Sequence, residues 1–262
     1  MNKLELELLN FVDRLVEEDI SSLSGVYINV LYKWITYFHF VKALTSVKSI
    51  GLLYRNNLFP EALLLSRALT NIHINIAWIL NRNVDERAQR YADMERVMKQ
   101  KNLESTFEFK ELPTIYINSK KYKENKLKAE NILKKYNYKS YSSVRNWSGL
   151  HIKDMAIEVG FKWEYSVLYS HLSEYEHCGP SSVSGYTVKN SVLFRPNKNK
   201  GLPLLFSTIE QFLAIKLLLL KTLKCKLLQY SFDILEYDKL KSNNKDQITY
   251  LISEDRILGD IE

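Results

Sequence analysis

The chain has 262 residues, of which 46% are hydrophobic and 26% are charged, and it contains only 8 Gly and 5 Pro. This scarcity of turn-forming residues excludes collagen-like chains and low-complexity linkers, and it argues against sandwiches or barrels of many short strands. The 37 Lys and Arg outnumber the 30 Asp and Glu, for a net charge of +7. That balance permits nucleic acid or an anionic membrane as a partner but demands neither.

Apolar residues recur at helical spacing through the first half of the chain. The pattern predicts a first helix that ends before 21–25, an aromatic-rich helix over 26–53, an apolar helix over about 61–80 and a polar helix over about 86–103. Pro60 suits the first turn of the third helix. Since that helix is apolar almost all round, we expect it to lie centrally in the fold.

The second half of the chain is also predicted to be mainly helical. Its predicted helices lie at about 120–136, 150–159, 162–177 and 203–239. A basic excursion occupies about 104–148, and Gly, Ser, Pro and Asn near 180–200 indicate a small irregular or hairpin segment. We therefore predict an all-α protein, with a single helical domain over 1–262 that forms a bundle of seven to nine helices.

Three features of the sequence indicate the cellular compartment of the protein. The two cysteines, Cys178 and Cys225, form no CxxC pattern, which suits a reducing compartment. The first residues lack the apolar core of a signal peptide. The most apolar stretch, 202–220, is interrupted by polar residues that include Lys216, and is therefore predicted to be a buried core helix. We expect a cytoplasmic protein without a membrane span.

Two Arg-x5-His pairs are the candidate catalytic residues: Arg67 with His73, and Arg145 with His151. The short spacing resembles the motif of the HEPN superfamily, whose members are small helical bundles and in many cases metal-independent ribonucleases. The resemblance implies that the arginine stabilises phosphate charge and that the histidine acts as general acid or base. The alternative interpretation of His73 is a hydrogen-bonded histidine in the core.

Lysines interleaved with tyrosines in the basic excursion are the candidate RNA-binding surface. The lysines with this predicted role are Lys120, Lys121, Lys123, Lys134 and Lys135. Cations can follow a phosphate backbone while tyrosine rings stack on bases. The alternative is a solvated helix face whose lysines supply solubility.

One short segment could suggest a metal site. Glu174 and His177 form a Glu-x-x-His step, but carboxylate-bridged dimetal bundles place such a step on two helices. With a single step, we predict no metal ligands and no cofactor. In the alternative interpretation, His177 lies at a helix C-terminus, where the helix dipole favours an imidazolium.

Two blocks of the chain contain Arg, Trp, Tyr, Leu-Ser and His in a recognisable order. One runs from Phe59-Pro-Glu-Ala-Leu-Leu-Leu-Ser-Arg67 through Trp78 to Tyr91, and the other runs over 155–177. Together they resemble a bacterial helical family known as domain of unknown function 5677, over about 55–190. Members of that family usually carry a glutamate one turn after the arginine, where this chain has Asn71.

The family resemblance implies no reaction, but it does indicate a polar cluster on two helices that meet. The members of this cluster are Arg67, Tyr169, Ser173 and His177. Buried polar groups must be paired whatever their function, so the cluster is either a binding site or a structural hydrogen-bond network.

Two classes of function remain open. The first is a metal-independent RNA-cleaving effector, a toxin or phage-defence component, which requires an arginine and a histidine near one phosphate in a cleft that borders the lysines. The second is a non-enzymatic helical scaffold that binds a protein partner or a second copy of the chain. It requires an enclosed and fully bonded Arg67 and His177, with an exposed apolar patch elsewhere.

Overall fold

A computed structural model describes residues 1–108, 118–144, 146–169, 187–188, 191–192, 201–225 and 227–245. Within these ranges the α-helices are α1 (Lys3–Leu23), α2 (Leu31–Arg55), α3 (Phe59–Asn81), α4 (Val84–Glu108), α5 (Lys120–Lys135), α6 (Ile152–Glu158), α7 (Lys162–Glu164), α8 (Gly201–Leu223) and α9 (Leu228–Asn243). The prediction of an all-α bundle is confirmed.

Three smaller elements accompany the α-helices. A 3-10 turn covers Tyr141–Ser143, and a π-helical turn covers Tyr165–Tyr169. Strands β1 (Thr187–Val188) and β2 (Ser191–Val192) pair antiparallel, with Thr187 opposite Val192. The hairpin lies within the segment near 180–200 that lacks the helical pattern.

The chain divides into two compact units. Unit 1 comprises Met1–Ala77 and Gly160–Glu262, and unit 2 comprises Trp78–Val159. The basic excursion therefore lies in unit 2. The single domain over 1–262 stays a prediction.

The core of unit 1 forms where α8 packs against α1 and α2. The rings of Phe40 and Phe212 stack with their centroids 5.7 Å apart, and both side chains are fully buried. By length and composition alone, α3 and α8 could each cross a membrane, but 61% of the apolar window of α8 is buried inside the protein. The buried, ion-paired Lys216 of α8 also identifies it as a core helix.

Unit 2 is built around α4 and α5, which pack along each other. Their shared apolar cluster consists of Met94, Val97, Ile132, Leu133 and Val144. The side chain of Ser119 caps α5 by accepting a hydrogen bond from the Tyr122 amide at 3.2 Å. The cap and the apolar cluster together fix the orientation of the lysine-rich helix.

Three helices end in a Schellman motif, in which a left-handed residue follows the helix. The left-handed residues are Asn57 after α2, Asn137 after α5 and Lys224 after α8, with φ between 58° and 60°. At the last of these ends, the Cys225 amide donates to the carbonyl of Leu220 at 2.9 Å. The predicted continuous helix over 203–239 is therefore wrong, because the chain leaves the helical path at Lys224 and resumes it in α9.

Candidate functional site

Glu158, the last residue of α6, organises a polar site in unit 2. Its carboxylate accepts hydrogen bonds from Trp78 Nε1 at 2.9 Å and from Arg87 Nη2 at 2.5 Å, and Arg82 Nε lies 2.9 Å away. Burial acts to raise the pKa of this carboxyl, but the hydrogen bonds from Arg87 and Trp78 outweigh it and lower the pKa to about 2. Glu158 is therefore ionised at all physiological pH values.

Arg87 is held on three sides. Besides its bond to Glu158, its guanidinium donates to the main-chain carbonyl of Trp78 and lies 3.7 Å from the centre of the Trp78 ring. Only 7% of the residue is exposed. These contacts fully engage Arg87 and make it a fixed, pre-oriented charge.

A cleft of about 270 Å³ opens beside this carboxylate–arginine group. Its lining residues are Trp78, Arg82, Asn83, Glu86, Arg87, Arg90, Ser148, Leu150 and Glu158. Three arginines face two glutamates, which leaves a net positive charge in the lining. Since 65% of the Arg82 side chain is exposed, the cleft offers a cation that an anionic ligand can reach.

Arg90 forms the wall of the cleft nearest to α5. Its Nε donates to the carbonyl of Trp147 at 3.3 Å, and its Nη2 donates to the Tyr138 hydroxyl at 3.1 Å. Gly149 makes this arrangement possible, because a Cβ at that position would lie 2.3 Å from Arg90 Nη2. Gly149 also has φ of +79°, a conformation that glycine adopts without strain.

Of the second Arg-x5-His pair, only His151 is placed beside this cleft by the described residues. His151 is exposed and directly follows the lining residue Leu150. It occupies the N-cap position of α6, where its carbonyl accepts the amides of Asp154 and Met155. Arg145 lies outside the described residues.

The predicted RNA-binding lysines all lie on the exposed surface of α5. Lys135 bonds to Asp93 at 2.7 Å, and Lys120 lies 3.9 Å from Glu124. The described contacts include no ion pair for the other three: Lys121, Lys123 and Lys134. These three ammonium groups, which we call the lysine face, are spread over the exposed side of α5, with Lys121 about 160° around the helix axis from Lys123.

The described tyrosines of the basic excursion are buried or half-buried, whereas the predicted RNA-binding lysines are exposed. Tyr122 is buried, and its hydroxyl accepts a hydrogen bond from Gln100. Tyr136 bonds to Asp93, and Tyr138 bonds to Arg90. The described tyrosines therefore support the packing of α5 instead of forming a row of rings for stacking on bases.

Within unit 1, Arg67 and Tyr169, two members of the predicted polar cluster, contact each other. Arg67 Nη2 donates to the Tyr169 hydroxyl at 2.9 Å, and its guanidinium carbon lies 4.5 Å from the centre of the Tyr169 ring. Tyr165 stacks on Tyr169 at 4.9 Å. The other two members of the predicted cluster, Ser173 and His177, lie outside the described residues.

Arg67 and His73 belong to the same helix, α3, but to different faces. Six residues turn an α-helix by about 600°, so the two side chains project about 120° apart around the axis. His73 packs on Phe161 with ring centroids 4.4 Å apart, and burial lowers its pKa to about 4. At neutral pH its imidazole is therefore uncharged, which fits a core histidine.

Unit 1 also contains a buried charge cluster that the motifs did not indicate. Lys216 of α8 contacts Asp19 of α1 at 2.6 Å and Asp233 of α9 at 2.8 Å. Burial raises the pKa of Asp19 to about 6 against the opposing effect of Lys216. The signal in the sequence was a lysine among the polar residues that interrupt an apolar helix.

Within the described ranges there is no group of three metal-ligating side chains. Glu174 and His177, the residues of the Glu-x-x-His step, lie outside those ranges, so their interpretation stays a prediction.

Comparison with known proteins yields one match. A family model described as a family of unknown function (DUF5677) matches residues 33–191, which is more than half of the chain. The matched range includes the cleft, the lysine face and the Arg67–Tyr169 pair. No curated protein and no solved structure matches the chain.

Proposed function

The chain belongs to the family of unknown function DUF5677, and since that membership brings no activity with it, we propose a function from the chain's own residues. We propose that the protein is an RNA-binding effector of HEPN-like type that cleaves RNA without a metal, as a toxin or phage-defence component. The arginine-lined cleft of unit 2, which reaches the residue before His151, is the observation that carries the proposal.

The proposed reaction needs no co-reactant. The ribose 2′-hydroxyl attacks the adjacent phosphorus, and the 5′-oxygen leaves with a proton, which gives a 2′,3′-cyclic phosphate and a free 5′-hydroxyl. Arg82 and Arg90 would stabilise the negative charge that develops on the phosphate oxygens. His151 would act as general base and acid, taking the proton of the 2′-hydroxyl and giving a proton to the departing 5′-oxygen. The motif's own arginine, Arg145, would add a further cation.

The lysine face supports the same substrate class. Tyr138, which follows α5, bonds to Arg90 in the wall of the cleft. An RNA strand that contacts the C-terminal part of α5 near Lys134 would therefore approach the cleft. Contacts of this kind are sequence-independent and weaken as salt displaces them.

RNA binding is tested on a triple variant of the lysine face. Anisotropy of a labelled single-stranded RNA is measured with wild type and with Lys121→Ala/Lys123→Ala/Lys134→Ala. We expect an affinity loss of about tenfold or more and a shallower dependence on salt, because each lost phosphate contact lowers the salt slope by about 0.7.

The matched control makes the same charge change on exposed residues of unit 1: Lys221→Ala/Lys224→Ala/Lys239→Ala. This control should bind RNA almost as wild type does. An equal loss in both triple variants would show that net charge alone attracts the RNA and would contradict the assignment to the lysine face.

Cleavage is tested on His151→Ala in the presence of a chelator. We expect wild type to produce cyclic-phosphate ends and His151→Ala to produce none, while His73→Ala retains activity because His73 is a neutral packing residue. RNA that stays intact with wild type, or equal cleavage by wild type and His151→Ala, would contradict the catalytic part of the proposal.

A non-enzymatic scaffold is the second candidate function. The observation in its favour is the engagement of Arg67 by Tyr169, which is what a structural network requires. Expression of wild type beside His73→Ala, His151→Ala and His177→Ala, followed by total-RNA sequencing, separates the two functions. Intact RNA with all four proteins favours the scaffold.

A further inference from the structure

Helix α2 presents an apolar face to solvent. Its five exposed apolar residues, which we call the outer face, are Leu31, Trp34, Phe38, Val41 and Leu52, each 37–52% exposed. Successive members lie three or four residues apart, except for a longer step between Val41 and Leu52. All five therefore share one side of the helix. A surface helix normally turns charged or polar side chains outward, so this face is unusual for a helix exposed to water.

The opposite side of α2 anchors the helix in unit 1. Ile35, Phe40, Val47 and Ile50 are at most 1% exposed, and α8 lies against this side. On the outer face, the rings of Trp34 and Phe38 stack in nearly parallel planes, with centroids 5.8 Å apart. The apolar side chains are thus held outward by a rigid helix.

The segment that carries the outer face has ionisable side chains of one sign. Residues 20–60 contain four cationic residues and no aspartate or glutamate. Two of the cations, Lys42 and Lys48, are exposed along with the outer face. Tyr27, just before α2, is 90% exposed. Exposed aromatic and aliphatic side chains beside lysines are the composition of helices that lie in the interface of an anionic bilayer.

We propose that the outer face of α2 docks on the surface of an anionic lipid bilayer. Trp34, Phe38 and Val41 enter the boundary between headgroups and acyl chains, and Lys42 and Lys48 contact lipid phosphates. The helix lies along the surface and does not cross the membrane, since its other side is occupied by the core of unit 1. This proposal is independent of the proposed action on RNA.

A second copy of the chain fits the same face less well. A symmetric pair of outer faces would bring Lys42 and Lys48 of both copies into one interface, and α2 supplies no carboxylate to neutralise them. Like charges that are brought together in this way oppose association. An anionic bilayer instead satisfies the apolar residues and the lysines at once.

The test is flotation of the full-length protein with vesicles of phosphatidylcholine alone or with phosphatidylglycerol added. We expect wild type to float with the anionic vesicles and to be released by salt. Trp34→Ser/Phe38→Ser should abolish flotation. Lys42→Ala/Lys48→Ala should weaken it about tenfold to thirtyfold, because each lysine near an anionic surface adds appreciably to binding. All substituted side chains are exposed, so the variants retain the core.

A matched control replaces two equally exposed apolar residues elsewhere in unit 1, with Phe232→Ser/Leu235→Ser on α9. This control should float as wild type does. Absence of flotation with wild type, or equal flotation of the control and Trp34→Ser/Phe38→Ser, would overturn the proposal. The proposal would also be overturned if wild type does not float, forms a dimer in light scattering, and loses that dimer in Trp34→Ser/Phe38→Ser. The outer face would then be the interface with a second copy of the chain.

Discussion

The ammonium of Lys216 lies 2.6 Å from a carboxylate oxygen of Asp19, and each residue is at most 3% exposed. Asp233 lies on the same ammonium at 2.8 Å and is itself fully buried. The first helix of the chain and the two consecutive helices α8 and α9 thereby share one buried cation. Removing one partner from such a group leaves charge in a medium that solvates it poorly.

Lys216→Met is therefore expected to destabilise the protein by about 3–5 kcal/mol, because Asp19 loses its buried cation and Asp233 keeps only the more distant Arg14, at 3.5 Å. Urea unfolding followed by circular dichroism measures the change. The exposed Lys221→Met on the same helix is the control and should change stability by less than about 0.5 kcal/mol. Similar stabilities for the two variants would show that the buried pairing is not needed.

The stability of the protein should fall on acidification through the titration of His73. Its pKa is about 4 in the folded protein against an ordinary value of 6.5, so the unfolded chain takes up the proton more readily. The contribution is complete above pH 6.5 and is lost as the pH falls towards 4, at about 1.4 kcal/mol for each pH unit at most. Urea midpoints between pH 7 and pH 4.5 measure the slope.

His73→Gln should flatten this pH dependence, whatever its effect on stability at pH 7. His151→Gln, at an exposed position, should retain the wild-type slope. An unchanged slope in His73→Gln would mean that other groups, such as the buried His39 with its lowered pKa, account for the acid sensitivity.

Glu158→Gln should cost about 2–3 kcal/mol at pH 7, since Arg87 would keep its place in the interior without a countercharge. The pKa of Glu158 is lowered to about 2 from its ordinary value of 4.5. The stabilisation is therefore complete above pH 4.5 and is lost as the pH falls through 2. Denaturation curves of the two proteins should converge in strong acid. Glu86→Gln, on an exposed glutamate of the same cleft, should have little effect at any pH.

Gly149→Ala should destabilise the protein by about 2 kcal/mol or more and also weaken RNA binding, because its Cβ would displace Arg90 from the wall of the cleft. Gly25→Ala provides a matched control. Gly25 has a similar φ of +75° with open space around it, so that variant carries the backbone strain alone. Equal losses of stability and unchanged RNA affinity would show that Gly149 serves only the backbone.

Helix positions could be predicted from sequence where apolar spacing and helix-end residues agree. The helix expected at about 61–80 extends over Phe59–Asn81, and Asn57 marks the turn before it. The end of α8 could not be predicted, because Lys224 takes the left-handed conformation without glycine or asparagine. The closing hydrogen bond from Cys225 depends on the backbone and leaves no mark in the sequence.

The candidate site was predictable only in its parts. The lysines of α5 stand out as a charge run, and Arg67 with Tyr169 follows from the family resemblance. The cleft was not predictable, because Arg82, Arg90 and Glu158 belong to three separate segments and form no motif. The two family blocks do contain Trp78, Arg87 and Glu158, which is the signal that could have directed attention to the cleft.

The arrangement of the two units along the chain sets an order for folding during synthesis. Unit 2 is one continuous stretch, Trp78–Val159, so it can fold as soon as that stretch has left the ribosome. Unit 1 must wait, because Asp19 of its first helix meets its cation only when α8 has been made. Domains completed early are generally folded first. The N-terminal helices, with their exposed apolar side chains, therefore lack their packing partners during most of synthesis. In that time they are accessible to chaperones.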